Sequence, residues 1–307
     1  MDKLTTEPVI ASPGVTRHIL KTFNLRPSKR LGQNFLIDPA VVQDIVAAGD
    51  VTEADSVLEI GPGIGTLTQA IARTGANVTA VELDKKLPAV LAVTLAPYKN
   101  VKIVPGDILK INIAELMENK PFKVVANLPY YITTPILMTL LEKRLPITQM
   151  VTMVQKEVAE RMVAVPGGKD YGALTVALQY FTIPEVVCTV PPRSFFPAPE
   201  VESCVLTCHV RDAPYPPVIS EEMFFRVVRG AFGQRRKTVA NALKGAGFSS
   251  VRLAAALEHC NIAPSRRGET LSAAEFAALA DALGALPQTP QGAQPLDPGR
   301  GIIPLHP

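Results

Sequence analysis

The sequence predicts an α/β chain: a doubly wound, mostly parallel sheet with an antiparallel edge, followed by a small all-helical C-terminal domain. Three observations carry this. Between residues 56 and 154 short apolar runs alternate with helical stretches, the pattern of parallel strands buried on both faces. The runs near 183–190 and 203–210 are separated by Pro191-Pro192 and Pro197-Ala198-Pro199 rather than by a helix, which predicts an antiparallel closure. Beyond Pro214-Tyr215-Pro216-Pro217 only helical periodicity remains.

Each element has a local reason. Ser12-Pro13 places a capping hydroxyl before a proline at the first helical position and opens a helix toward Phe23. A basic turn follows, Lys29-Arg30-Leu31-Gly32-Gln33-Asn34-Phe35-Leu36. Asp38-Pro39 then starts a helix that ends near Gly49. Strands are predicted at 56–60, 78–81, 101–104, 122–126 and 148–154. Helices are predicted at 66–74, 85–96, 113–118 and 134–143, and from 157. The C-terminal helices fall near 220–232, 238–244, 250–258 and 272–284. The boundaries that result are an N-terminal extension over 1–24, the α/β domain over 25–212, the helical domain over 213–285 and a tail over 286–307. The tail's Pro, Gly and Gln content predicts disorder.

Composition narrows the class. The 307 residues are 47% hydrophobic, enough for a sizeable core, and 19% charged, which argues against a disordered chain. No apolar run reaches the roughly 20 residues that span a bilayer. Residues 1–10 mix charge with Thr and Pro and have no apolar core, unlike a secretory signal. A cytoplasmic protein is expected. Cys188, Cys204, Cys208 and Cys260 form no Cys-x-x-Cys pair, so reduced thiols and no metal are expected. Alternation in a strand would put Cys204, Leu206, Cys208 and Val210 on one core face and His209 on the other.

The net charge of +3 is too small to name a partner, but its distribution is one-sided. From Met223 to Leu257 there is no acid, while Arg226, Arg229, Arg235, Arg236, Lys237, Lys244 and Arg252 are all present. A solvated helical face is the plain reading of such a run. A nucleic-acid contact through Arg226, Arg229, Arg235, Arg236 and Lys237 is the functional one.

Five motifs carry chemistry. Glu59-Ile60-Gly61-Pro62-Gly63-Ile64-Gly65-Thr66 leaves the first sheet strand and opens a helix. Its Gly-x-Gly-x-Gly spacing departs from the dinucleotide fingerprint, with Thr66 at the third glycine position, and it has no Walker lysine. An adenosine cofactor without phosphates fits better, with Gly61 and Gly63 against it. Glu82 ends the next strand, about 20 residues on, where an acid accepts from ribose hydroxyls. Asp84 is a weaker competitor. Gly106-Asp107 follows the third strand, where Asp107 suits an adenine amino group. Asn127-Leu128-Pro129-Tyr130 follows the fourth. An adenine amine is a poor nucleophile because its lone pair is delocalised into the ring. The Asn127 oxygen and a backbone carbonyl of the turn can hold both its N–H bonds, Pro129 stiffens the turn, and Tyr130 offers a face to an extruded base. Phe195-Phe196-Pro197-Ala198-Pro199-Glu200-Val201 adds two aromatics that either pack a sheet corner or supply a second stacking wall.

With these stretches the chain resembles the ribosomal RNA adenine dimethyltransferases, specifically the small-subunit dimethyladenosine transferases, over about residues 25–280. Leu31-Gly32-Gln33-Asn34-Phe35-Leu36 and Glu200-Val201-Glu202-Ser203 belong to the match. The resemblance implies a Rossmann-like class I methyltransferase domain that uses S-adenosylmethionine. It implies dimethylation of two adjacent adenosines in a hairpin near the 3′ end of 16S rRNA, with the immature small ribosomal subunit as partner; a monomer is expected, with no motif of the sequence reporting on oligomeric state. It implies that Asn34, Leu36, Gly61, Gly63, Glu82, Asp107 and Asn127 hold the cofactor. Asn127, Pro129, Tyr130 and Phe195 are implied at the target base, and the helical domain at the ribosomal particle. The related 23S rRNA methyltransferases of macrolide resistance share the amine logic, but the Leu128 position and the fuller helical domain favour the small-subunit family. DNA adenine methyltransferases usually carry Pro-Pro-Tyr at this turn. A ribosome-assembly factor acting mainly by binding is the alternative from another class.

Overall fold

The capping signals act where the sequence places them. In the computed structural model, which describes residues 8–234 and 236–285, α1 (Pro13–Thr22) begins with the Ser12 hydroxyl accepting from Val15 N–H. After β1 (Phe35–Leu36), α2 (Pro39–Ala48) begins with Asp38 accepting from Ala40 N–H. The alternation then runs β2 (Ser56–Ile60), α3 (Thr66–Ala72), β3 (Asn77–Glu82), α4 (Leu87–Thr94), β4 (Val101–Pro105), α5 (Ile113–Leu116), β5 (Phe122–Asn127), α6 (Thr133–Glu142), β6 (Ile147–Gln155) and α7 (Lys156–Val163). α8 (Ala173–Phe181), β7 (Thr182–Val190), β8 (Phe195–Phe196) and β9 (Ser203–Val210) follow. The chain continues in α9 (Glu221–Phe232), α10 (Val239–Gly245), α11 (Ser250–His259) and α12 (Ala273–Ala285).

The main sheet has the order β4-β3-β2-β5-β6-β9-β7. β2 pairs in parallel with β3 and β5, β3 with β4, and β5 with β6. β9 lies antiparallel to β6, with Met150 opposite Cys208 and Gln155 opposite Ser203. The strand order reverses between β2 and β5, so the loops after these two strands splay apart and leave a crevice at their carboxyl ends. That crevice is where the glycine loop and the Asn127 turn lie. β9 is an inner strand between β6 and β7, which is why Cys204 and Cys208 are buried along with Val205 and Thr207, while His209 is exposed. The core under the sheet gathers Ile45, Val57, Ile71, Val125 and Val205, all fully buried.

The chain divides into two compact units, one of 1–159 with 183–210, the other of 160–182 with 211–307. This differs from the sequence-based boundary at 212, because 160–182 groups with the C-terminal helices. Aromatic packing is the physical reason. On α8, Tyr180 stacks on Phe224 of α9 at 4.9 Å between ring centroids, and its hydroxyl donates to Glu221 at 3.0 Å. Tyr171 meets Phe232 edge-on at 5.8 Å. The N-terminal segment is also more than an appendage. Ile10, Ala11, Thr16, Ile19 and Leu20 are buried, and Gln69 holds the segment by accepting from Ile10 N–H and donating to the Pro8 carbonyl. The tail expected over 286–307 lies outside the described residues.

Candidate active site

A cleft of about 1070 Å³, counted with its open mouth, sits at the carboxyl ends of β2, β3, β4 and β5. Its walls come from Leu31–Leu36 before and within β1, the loop after β2, Glu82 at the end of β3 with Leu83, Gly106 to Ile108 after β4, and the turn after β5 through Ile132. Asn34, Leu36, Gly61, Gly63, Glu82, Asp107, Asn127, Pro129 and Tyr130 all line it. Residues far apart in sequence are therefore brought to one edge of one sheet.

The loop after β2 works through its backbone. Gly61 has φ +71 with open space where a Cβ would sit, and Gly63 has φ +62 with the Phe35 ring 3.3 Å from that position. Side chains here would be strained in the left-handed region and would fill the approach to the backbone. Glu82 fastens the loop, accepting from Gly63 N–H at 3.1 Å with one oxygen and from Asp84 N–H at 2.7 Å with the other. Burial raises the Glu82 pKa from the usual carboxylate value, against those hydrogen bonds. Asp84 serves the opposite wall: it accepts from Gln33 Nε2 at 2.9 Å, and Gln33 in turn accepts from Ser28 N–H at 2.8 Å. Asp107 accepts from Leu109 N–H at 3.1 Å, with Lys110 3.6 Å away.

Asn127 ends β5 with its amide aimed. Its Nδ2 donates to the Asn34 carbonyl at 3.3 Å, so its Oδ1 is left as an acceptor. The Pro129 carbonyl accepts from Ile132 N–H and from the Thr133 hydroxyl, both at 3.1 Å. This leaves the Leu128 carbonyl as the second acceptor of the turn. The Tyr130 hydroxyl is 2.6 Å from Ser203 Oγ, which fixes the ring, and burial pushes its phenol pKa up.

One expected residue is elsewhere. Phe195 is 3% exposed and packs in the core under the sheet, outside the cleft walls, because its strand β8 pairs antiparallel with β1 and turns the ring inward. Strands of two residues are too short to leave a periodic signature in sequence. Two residues to which the motifs give no role also stand at the cleft: Tyr131, and Glu59 at the head of the glycine motif. Tyr131 is 56% exposed at the mouth, with its ring against Gly32. Glu59 is 1% exposed at the floor, and its Oε2 has no hydrogen-bond partner among the described residues. An acid inside a strand that is otherwise apolar is the signal available for Glu59.

The cleft walls contain no Lys, Arg or His, and they carry Glu59, Glu82 and Asp107. Such a site suits a cationic ligand and not a phosphate. The family profile of ribosomal RNA adenine dimethylases matches residues 23–284. The chain belongs to this family. A ribosomal RNA small subunit methyltransferase A of Moorella thermoacetica is 49% identical over 283 residues, covering 89% of this chain and 98% of the relative. The crystal structure of a dimethyladenosine transferase from Plasmodium falciparum aligns with a TM-score of 0.69 at 26% identity, over 80% of this chain and 95% of that one. That of the 23S rRNA methyltransferase ErmE aligns at 0.65 and 27% identity, over 82% and 100%.

The dimethylase is thus an S-adenosylmethionine-dependent methyltransferase of ribosomal RNA with the expected class I fold. The residues present fit that cofactor: an unpartnered buried carboxylate oxygen faces a cleft without competing cations. Glu59 also makes a prediction for the ligand-free dimethylase. Burial pushes its pKa up from 4.5 to about 8, the Glu82 charge adds to the rise, and Thr68 offsets part of it. A raised folded-state pKa means that stability is full below 4.5 and is lost as pH rises through about 8. Each unit in that window costs up to about 1.4 kcal/mol. Glu59→Gln should therefore gain stability over the wild type at pH 8, with the gain shrinking toward pH 5, as read by urea unfolding. Parallel pH profiles for the two proteins would reject this.

In the helical unit Arg229, Arg236 and Lys237 are exposed, and the Arg226 guanidinium lies over the Phe248 ring at 4.5 Å while its residue remains exposed. Arg235 lies outside the described residues. Arg252, in the same acid-free stretch, donates instead to the Leu283 carbonyl and ties α11 to α12. No helix of the described residues is long and apolar enough to cross a membrane.

Proposed function

We propose that this dimethylase, as a monomer in the cytoplasm, adds two methyl groups to the N6 amine of each of two adjacent adenosines in a hairpin near the 3′ end of 16S rRNA, within the immature small subunit. The observation that carries the reading is the aimed Asn127 amide beside the Leu128 carbonyl. Two acceptors at one turn match the two N–H bonds of an adenine amine and favour a nitrogen with an available lone pair. Tyr130, its hydroxyl held by Ser203, presents a ring to the extruded base, and Pro129 keeps the turn stiff. Asn34, Leu36, Gly61, Gly63, Glu82 and Asp107 would hold the cofactor, which supplies an electrophilic methyl group when bound. Glu82 would accept from the ribose hydroxyls and Asp107 from the adenine amino group. No strong base is required of the chain, because positioning and electrostatics carry the gain. The exposed cations of the helical unit would meet rRNA phosphates.

The small-subunit assignment is supported by the name of the 49% identical relative. A 23S rRNA substrate is the second reading, favoured by the likeness to ErmE. Purified protein with methyl-labelled cofactor, given both undermethylated small subunits and undermethylated large subunits, separates them. Label recovered as dimethyladenosine in 16S rRNA is expected. Label only in 23S rRNA sinks the small-subunit reading, and label in neither leaves a binding role.

A further inference from the structure

A second acid-free stretch lies at the other end of the chain. Between Glu7 and Asp38 there is no Asp or Glu. Arg17 and Lys21 stand exposed on α1, and Lys29 and Arg30, both exposed, lie on the turn that leads into the cleft wall at Leu31. Lys85 and Lys86 are exposed just past the opposite wall residue, Leu83. Among the described residues no ion pair engages any of these six. The structure gathers them. The relay of Ser28 N–H to Gln33 and Gln33 to Asp84 ties the Lys29–Arg30 turn to the Lys85–Lys86 turn across the cleft lip. The Arg17 guanidinium lies 5.8 Å from the centroid of Phe196, which pairs with Phe35 of the cleft wall. The cleft itself is acidic and cation-free, so its lip and its interior have opposite sign.

We propose that this rim is a second RNA-binding surface, on the methyltransferase unit, which grips phosphates flanking the adenosine presented to the cleft. The proposal rests on the RNA-adenine reading above. Cations outside any ion pair, set around a cleft that takes a single extruded base, suit a polyanionic backbone on either side of that base. The separation of sign keeps phosphates on the rim and away from the carboxylates within.

Equilibrium binding to undermethylated small ribosomal subunits tests it, measured across salt for the wild type, Arg17→Gln with Lys21→Gln, Lys29→Gln with Arg30→Gln, and Lys99→Gln with Lys102→Gln. The last pair removes equal charge at the far end of β4, away from the cleft. Each rim pair should lower the slope of log K against log salt by about 1.4 to 1.8. The control should keep the wild-type slope, and cofactor affinity by calorimetry should not change in any variant. Lys29→Arg with Arg30→Lys should restore the wild-type slope. Unchanged slopes in both rim pairs overturn the proposal, as does an equal fall in the control. Ultraviolet crosslinking of the wild-type complex should yield nucleotide adducts on residues 17–30. Adducts to ribosomal protein alone would assign the rim to an acidic protein partner instead. Failure of the underlying substrate reading shows differently: the wild type would then leave 16S rRNA unlabelled, whatever the salt slopes of the rim variants.

Discussion

Asn127→Ala should abolish methyl transfer while leaving cofactor affinity within a few fold. The amide is held at one end by the Asn34 carbonyl and offers its oxygen at the other. Truncation removes an acceptor that needs no reorganisation when the amine arrives. Losing one such preorganised group costs on the order of 100- to 1000-fold in kcat, about 3 to 4 kcal/mol. The Leu128 carbonyl cannot replace it, because one acceptor cannot hold both N–H bonds. Single-turnover methylation of small subunits with saturating labelled cofactor reads the loss directly, and calorimetry with the demethylated product checks the cleft. Near-normal turnover would remove Asn127 from the chemistry.

Glu82→Ala should lower cofactor affinity by roughly 100-fold or more. The side chain accepts from Gly63 and Asp84 N–H groups, so it shapes the glycine loop besides facing the ribose position. Hydrogen bonds to a charged acceptor are worth about 1.5 to 3 kcal/mol each, and two or more are lost together. Glu82→Gln keeps one acceptor oxygen and should fall between, near 10-fold, about 1.4 kcal/mol. Calorimetric titration with the demethylated product orders the three proteins. An alanine variant within threefold of the wild type would show that Glu82 only braces the loop.

Much of this site is readable in sequence because strand ends and loop chemistry are local properties. The glycine spacing, the acid at the end of β3, Asp107 after β4 and the Asn127 turn each sit at a strand terminus, and parallel strands carry their termini to one edge. What escapes depends on partners distant in sequence. β1 and β8 have two residues each and exist only because each supplies the other's hydrogen bonds. Phe195 resembles a base-stacking wall for that reason, and the pairing turns it into the core. The 160–182 segment has helical periodicity, but its grouping with α9 depends on Tyr180 meeting Phe224, which no local pattern encodes. In sequence, Glu59 is one more member of a glycine motif. Its buried, unpartnered oxygen emerges only once β2 lies between β3 and β5.

The short ladder between β1 and β8 has a consequence for how errors travel in this molecule. Leu36 is fixed opposite Phe195, and Asn34, two positions before Leu36, holds out the carbonyl on which the Asn127 amide hangs. A buried ring thereby braces the strand beside the carbonyl that sets the heading of the Asn127 amide. Damage to the packing beneath the sheet would surface as a misaimed acceptor, and the enzyme would lose its chemistry before it lost its shape.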